Sequence, residues 1–589
     1  MEEKWVVSAK KADFQAIGQK FGIDQVIARV IRNRDVIGEE QVRRYLHPQI
    51  TDLHSSALLR GAQEAAQLLE KKIRSGKRIR IIGDYDIDGV NATFILFRCL
   101  QMCGADVDYE IPDRMKDGFG LNRSLIELAF DEEADTILTC DNGIAAVEEV
   151  AYAKQLGMTV IVTDHHEPRY KDENGEIGYI YPPADVIVDP AMPEDTYPFP
   201  HICGAVVAWK VMHPLLSAFG IPLLEWLKFL PFAAFATVGD VMDLKDENRA
   251  IVRLGLPALE KTENTGMRAL IRVCGLEGRN LTAYHIGFVL GPCINAGGRL
   301  DTAKRSLRLL LEEDEGEADL LARELKELND LRKQMTEDGI RQACEQIEEG
   351  KFTGDGVYVI YLPGCHESIA GIIAGKVRER YYHPVFILTD SQNGGYLKGS
   401  GRSTENWSMY DGLVRSDRFL EKYGGHPMAA GLTLRKENLD AFRELINRES
   451  GLEREDFIRK VVIDVPMPVS YLKEELIGEL ELLEPFGKGN EKPVFAERGL
   501  HPVRAAVIGK NQNVLKFQME STDGVRMEAL YFGDPQEMLE YLSVRYSHAE
   551  VERMLQGREN AVRMDVLYYP SVNEFRGMRT IQIVITGYR

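Results

Sequence analysis

Three aspartates at alternate positions follow an apolar run in Ile81-Ile82-Gly83-Asp84-Tyr85-Asp86-Ile87-Asp88-Gly89. In extended chain, alternate side chains share a face, so Asp84, Asp86 and Asp88 are placed to converge. Carboxylates held together repel one another, and a divalent cation removes that cost. A solvated acidic loop or a calcium loop is the other reading of this segment alone. An EF-hand is excluded, because its glutamate and flanking helices are absent. The same pattern recurs in Leu138-Thr139-Cys140-Asp141-Asn142-Gly143 and in Val160-Ile161-Val162-Thr163-Asp164-His165-His166. A lone histidine after a strand is more often structural than a ligand. Imidazole beside carboxylate, however, suits Mn²⁺ and related ions better than Ca²⁺. A fourth acid, Asp240, ends Ala236-Thr237-Val238-Gly239-Asp240 and by itself reads as a helix cap.

These clusters need elements that bring them together. Short β-branched runs at 78–82, 107–111, 136–139, 159–163 and 186–188 alternate with helical segments such as 124–130 and 145–156. That alternation predicts a mostly parallel sheet covered by helices, with ligands at the carboxyl ends of its strands. Residues 1–75 read as helical, with Phe14, Ile17, Phe21 and Ile23 near helical spacing. Residues 204–290 also read as mostly helical. Leu321, Leu325, Leu328, Leu331 and Met335 form one apolar stripe, which predicts a long connecting helix within 303–350. A second α/β block follows, with strands at 356–361 and 385–389 around a helix at 369–380. From 461 onward, short strands at 503–508, 514–518, 527–532, 561–568 and 580–585 suggest a small barrel. The expected division is 1–75, 76–302, 303–350, 351–455 and 456–589.

The chain has 589 residues, 44% hydrophobic and 28% charged, which is ordinary for a globular protein and argues against disorder. Lysine plus arginine number 72 against 92 aspartate plus glutamate, a net charge of −20. That balance argues against a protein that coats duplex nucleic acid, but not against a local basic groove. Eight cysteines without a Cys-x-x-Cys pair point to a reducing compartment, and so to a cytoplasmic location, and away from a zinc ribbon. The first residues show no basic region leading into an apolar run, so no signal peptide is expected. No stretch reaches the ~20 apolar residues of a membrane span.

Three further segments read as anion or strand contacts. Gly291-Pro292-Cys293-Ile294-Asn295-Ala296-Gly297-Gly298-Arg299 pairs close-approach glycines with an arginine, or is an ordinary turn with a surface arginine. Residues 391–404 hold Lys398 and Arg402 and no acid, which suits a flexible phosphate cradle or a solvated glycine turn. Residues 499–517 are also acid-free, with Arg504, Lys510 and Lys516. Phe517, Tyr531, Phe532, Tyr568, Tyr569 and Phe575 lie near the predicted terminal strands and serve either base stacking or the core.

Asp-Tyr-Asp-x-Asp-Gly, Asp-Asn-Gly, Asp-His-His and Val-Gly-Asp, in this order, resemble the DHH phosphoesterase superfamily. Asp-Tyr-Asp, Leu-Asn-Asp-x-Arg at 328–332 and Leu-Glu-Pro-Phe-Gly-x-Gly-Asn at 483–490 narrow the resemblance to the RecJ family of bacterial single-strand-specific 5′→3′ DNA exonucleases. The resemblance implies a DHH domain, a connecting helix, a DHH-associated α/β domain and a terminal OB-like barrel. It places Asp84, Asp86 and Asp141 around one divalent cation, and Asp88, Asp141, His165 and Asp240 around a second, Mn²⁺ preferred or Mg²⁺. It implies catalytic roles for Asp164, His166 and Arg299. Arg299, Ser400, Arg402 and His426 become contacts to substrate phosphates, including a 5′-terminal one. Relatives often carry glycines where this chain has Glu367-Ser368-Ile369-Ala370. The implied substrate is single-stranded DNA in recombination and repair. The implied partners are a single-stranded DNA-binding protein and a helicase, with a monomeric chain. A DHH enzyme for short oligonucleotides, cyclic dinucleotides or pyrophosphate is the first alternative, and a non-catalytic nucleic-acid binder the second.

Overall fold

The computed structural model describes all residues except 1, 2, 115–117, 119, 174, 175, 392, 393 and 576. The chain forms two compact units, one of residues 50–459 and one of residues 3–49 together with 460–589.

In the first unit, Val107–Glu110, Ile79–Ile82, Thr136–Cys140, Thr159–Thr163 and Val186–Val188 form a five-stranded sheet in that order. All four ladders are parallel. Ile79–Ile82 and Thr136–Cys140 are buried along their whole length, as strands covered on both faces must be. All five strands lie where the sequence pattern puts them. A two-stranded hairpin, Arg169–Glu173 with Glu176–Ile180, has no counterpart in that pattern and sits between the fourth and fifth strands in the chain. Helices Ile87–Met102, Gly204–Ala218 and Leu230–Gly239 pack on one another in the main core.

The connecting segment is two helices, Ala303–Leu311 and Glu315–Glu348, the second capped by Asp314. Leu321 and Leu325 are buried, and Leu328 and Met335 are half-buried. Leu331 departs from the expected stripe and is 50% exposed. At 100° per residue it lies about 120° round from Leu325, whereas Asn329 lies about 40° away. The buried position therefore goes to Asn329.

The second block holds a mixed sheet ordered Leu420–His426, Ala429–Arg435, Tyr396–Arg402, Val385–Asp390 and Tyr358–Tyr361. The last pair is parallel and the others antiparallel. Helix Glu367–Tyr381 packs against it. Within 391–404, expected as a flexible loop, Tyr396–Arg402 is a strand, and residues 392 and 393 lie outside the described residues. Gly399 and Gly401 face a crowded core, where an added Cβ would lie 2.4 Å from Leu388 and 2.3 Å from Met409. Alternation then turns Lys398, Ser400 and Arg402 to the opposite face.

In the second unit, Phe495–Ile508 pairs with both Val514–Glu520 and Met564–Phe575. Through Arg526–Tyr531 and Met578–Tyr588 the pairings return to the starting strand, making a closed ring. Helices Pro535–Tyr546 and His548–Leu555, absent from the sequence expectation, are inserted after the third of these strands. Helices Phe14–Phe21, Gln25–Asn33 and Glu39–Leu46 pack into the core of this ring, fastened by an Arg34–Asp464 ion pair of 2.7 Å. Phe517 and Tyr568 are core residues, Tyr531 and Tyr569 are half-buried, and Phe532 is 61% exposed. The Phe575 side chain lies outside the described residues. No helix among the described residues is long and apolar enough to cross a membrane.

Candidate metal centre and adjoining cleft

The carboxylates converge through a strand-to-helix turn rather than through an extended chain. After the strand Ile79–Ile82, Asp86 caps the helix Ile87–Met102, its Oδ1 accepting from the Asp88 and Gly89 amides at 2.9 and 3.1 Å. Asp88 is already in the first helical turn. It is fully buried and held by a second helix: Oδ2 accepts from Gly204 N at 2.6 Å and Oδ1 from Ala205 N at 2.8 Å. The positive end of Gly204–Ala218 thus stabilises one carboxylate of the cluster. Gly204 is required by close approach, since a Cβ there would lie 2.8 Å from Asp141 Cβ.

Asp141 follows Thr136–Cys140 in a left-handed conformation, φ 60°, which a non-glycine residue rarely adopts. Asn142 fixes this turn by donating to Ile82 O and Cys140 O and accepting from Leu121 N. Asp164 follows the fourth strand and accepts from Ile144 N at 3.0 Å and His165 N at 2.8 Å. Asp240 stands at the C-terminal end of Leu230–Gly239, where a carboxylate gains nothing from the helix dipole. Asp240 is nonetheless the cap that the sequence suggests, through its backbone amide, which donates to Ala236 O at 2.8 Å, while its carboxylate joins the cluster.

His165 Nε2 faces three of these acids, at 3.0 Å from Asp141, 3.6 Å from Asp88 and 3.9 Å from Asp240. Ligand atoms of Asp84, Asp86 and Asp141 lie within 4.8 Å of one another, as do those of Asp88, His165 and Asp240. Those of Asp141, His165 and His166 form a third such set. Among the described residues, no lysine or arginine pairs with Asp84, Asp86, Asp88 or Asp141.

The electrostatic consequence is strong. Burial, then the neighbouring aspartates, pushes the Asp141 carboxyl well above its ordinary range. Burial and Asp86 do the same to Asp84. Burial and Asp88 raise Asp86. Burial lowers His165, which favours a neutral ring with a free lone pair. Asp84 Oδ1 and Asp141 Oδ1 are buried without a hydrogen-bond donor among the described residues. Several oxygen donors, one neutral imidazole and two orphaned carboxylate oxygens fit a hard divalent cation such as Mn²⁺ or Mg²⁺.

His166 differs from His165. Its Nδ1 is 2.7 Å from Asp164 Oδ1, and its ring is 45% exposed at the edge of the cluster. Burial pulls its pKa down, but the Asp164 contact outweighs this and raises it to about 9. Burial likewise pushes Asp164 up, and the two imidazoles bring it below its ordinary value. Both shifts favour an imidazolium against a carboxylate.

Arg299 lies on the helix Gly291–Leu300 and donates from Nη1 to Ser368 O at 2.8 Å. Burial, then the nearby Arg114 and Arg332, lowers its pKa to about 10. Asn295 on the same helix accepts from Ile87 N at 2.8 Å and ties it to the first aspartate turn. A cavity of about 420 Å³ lies beside these groups, lined by Tyr85, Arg114, Ser368, Lys398, Ser400 and Lys422 among others. Glu367, at the sequence departure, lines it too and holds Lys398 at 3.1 Å. Ser400 therefore faces the cavity, while Arg402 and His426 are outside its lining. Those two are instead brought together with Ala429, which pairs with Arg402 on one side and His426 on the other.

Sequence reasoning missed Asp189, Tyr85 and Arg114. Asp189 follows the fifth strand, is buried, and has an unpartnered Oδ2 among the described residues. Burial, then Asp164, raises its pKa to about 8. The signal was present in Val186-Ile187-Val188-Asp189, another apolar run entering an acid. Arg114 lies over the Tyr85 ring at 5.1 Å, a pairing that no local pattern reveals.

A parallel sheet with acids at successive strand ends, an Asp-His-His turn and an appended α/β block define the DHH class. The DHH family N-terminal domain matches residues 78–230, the DHHA1 domain residues 354–450 and the RecJ OB domain residues 463–587. The single-stranded-DNA-specific exonuclease RecJ of Escherichia coli is 31% identical over 549 residues, covering 90% of both chains. The Bacillus subtilis RecJ is 34% identical over 523 residues, 88% of this chain and 64% of that relative's length. The crystal structure of Thermus thermophilus RecJ in complex with Mn²⁺ superposes with a TM-score of 0.82 at 28% identity, covering 100% of this chain and 80% of that one. The Mg²⁺ complex gives 0.77 at 27% identity, covering 100% and 78%. The chain belongs to the RecJ family of single-stranded-DNA-specific exonucleases.

Proposed function

We propose that the chain is a metal-dependent exonuclease that hydrolyses single-stranded DNA from the 5′ end to mononucleotides. The observation that carries this reading is a cluster in which Asp84, Asp86, Asp88 and Asp141 have no lysine or arginine partner among the described residues, beside a cavity lined with basic groups. Asp84, Asp86 and Asp141 would hold one divalent cation, and Asp88, Asp141, His165 and Asp240 a second. Bound there, the cations supply Lewis acidity at the phosphodiester and make water a nucleophile near neutral pH.

The chain's own groups do the rest. Asp164 keeps His166 protonated, so His166 places positive charge where the phosphodiester gains negative charge. Arg299 is anchored to Ser368 O through Nη1, which leaves the rest of its fork for a phosphate oxygen. Ser400, Arg402 and His426 hold the 5′-terminal phosphate, with Lys398 beside them. Recognition of the end next to the cations sets the polarity. The second unit binds the single strand. A single-stranded DNA-binding protein and a helicase are the proposed partners of a monomeric, cytoplasmic enzyme.

The test is a product time course with Mn²⁺ on one strand labelled at its 5′ end and, separately, at its 3′ end. Immediate mononucleotide release from the 5′ label and gradual shortening seen from the 3′ label support the proposal. Cleavage of di- to pentanucleotides with long strands untouched would move the chain to small-substrate chemistry.

A further inference from the structure

Cys274 follows the helix Thr265–Val273, and Cys293 lies in the first turn of Gly291–Leu300. Their Sγ atoms are 3.9 Å apart, although 19 residues separate them in the chain. Both thiols are free, Cys274 partly exposed and Cys293 buried. The two are chemically unequal. The contact with the Cys293 sulfur, helped by Lys326 and Lys333, holds the Cys274 thiol below its ordinary value against burial. The same contact and burial drive Cys293 upward. A partly exposed sulfur 3.9 Å from a buried one is the arrangement of an attacking and a resolving cysteine.

The pair is connected to the cleft. Asn329, the buried residue on the long helix, donates from Nδ2 to Cys293 Sγ at 3.5 Å. Its Oδ1 accepts from Arg332 Nη2 at 2.6 Å, and Arg332 is one of the cations that depress Arg299. Cys293 also shares its helix with Asn295 and Arg299, the residues that reach Ile87 N and Ser368 O.

We propose that Cys274 and Cys293 are a modification site that closes to a reversible disulfide on meeting a hydroperoxide, and that closure displaces the helix Gly291–Leu300 and lowers hydrolysis. The Cys274 thiolate attacks the peroxide, breaking the O–O bond and forming a sulfenic acid; the released alkoxide or hydroxide takes up a proton. Cys293 sulfur then attacks the Cys274 sulfur. The S–O bond breaks, and the expelled hydroxide leaves as water with the Cys293 proton. Two thiols lose two electrons in total, and the hydroperoxide is reduced to an alcohol, or to water when it is hydrogen peroxide, with one further water formed.

The experiment treats the reduced, chelated protein with hydrogen peroxide, removes the peroxide and divides the sample. One half is alkylated and mapped by mass spectrometry, which is independent of the proposed activity. The other receives Mg²⁺ and a single-stranded substrate. A linked Cys274–Cys293 peptide is expected, with the rate falling about tenfold, because small displacements of positioning groups are costly. Dithiothreitol restores the rate. Cys274→Ser and Cys274→Ala keep the reduced rate and resist peroxide. The proposal is overturned if no linked peptide forms at a dose that oxidises the partly exposed Cys365, or if it forms and the rate is unchanged.

Discussion

Two sets of buried charges lie along one helix and are handled in opposite ways. At the first turn of Gly204–Ala218, the backbone amides hold Asp88 in a cluster where no lysine or arginine forms an ion pair with Asp84, Asp86 or Asp141 among the described residues. Further along, fully buried Lys210 and Glu247 pair at 2.7 Å. Lys210 also donates to His54 O, and Glu247 accepts from His54 N and from Tyr197 OH. The pair is closed: each oxygen of Glu247 has a donor. The aspartate cluster is open, with orphaned oxygens and raised carboxyl pKa values. Burial of charge is thus not in itself a mark of function. A deficit of counter-charge is.

The comparison can be broken at either end. Asp141→Asn removes the carboxylate shared by both proposed ligand sets, so hydrolysis should fall by about 10³-fold or more. Because it also relieves repulsion, thermal unfolding in chelator should be unchanged or shifted upward; near-native turnover would refute the assignment. Glu247→Ala should act in reverse. It strands Lys210 and should cost about 3–5 kcal/mol in urea unfolding. A loss under about 1 kcal/mol would mean that the pair is dispensable.

Metal and pH sharpen the contrast. Asp84, Asp86 and Asp141 have raised folded pKa values, so without metal their contribution to stability is greatest at low pH and is lost as pH rises above the ordinary carboxylate range. Divalent cations bind the ionised form, so the gap in unfolding temperature between Mn²⁺-loaded and chelated protein should widen from about pH 6 to about pH 8. At a hundredfold excess over Kd, binding adds about 2.7 kcal/mol. A gap that narrows with pH would contradict the open-cluster account. Arg402→Ala should cost about 1–3 kcal/mol in preference for 5′-phosphorylated strands, the scale of a charged hydrogen bond. An unchanged preference would remove Arg402 from the end pocket.

Much of the centre was legible because Asp84, Asp141 and His165 follow apolar strands, and strand ends of a parallel sheet share one edge, while Asp240 closes an apolar helix. Asp84, Asp86, Asp141, His165 and Asp240 were all visible as polar groups closing an apolar run. Asp189 has the same local grammar but no second polar residue to single it out. What was not legible is set by distant contacts. Asp88 is fixed by the amides of Gly204 and Ala205, far along the chain. Residues 14–46 read as helices, yet nothing local says that they pack into the core of 465–585. Gly399 and Gly401 suggested a loop, whereas they make room for Leu388 and Met409 behind a strand. Leu331 satisfied a spacing of three and four, but the accumulated rotation carried it off the buried face in favour of Asn329.

The most direct measurement is anomalous diffraction at the manganese edge from crystals soaked in Mn²⁺. The account predicts two peaks on either side of Asp141, one among Asp84, Asp86 and Asp141 and one among Asp88, His165 and Asp240. An absence of peaks there, with the aspartates protonated and hydrogen-bonded to one another, would contradict it.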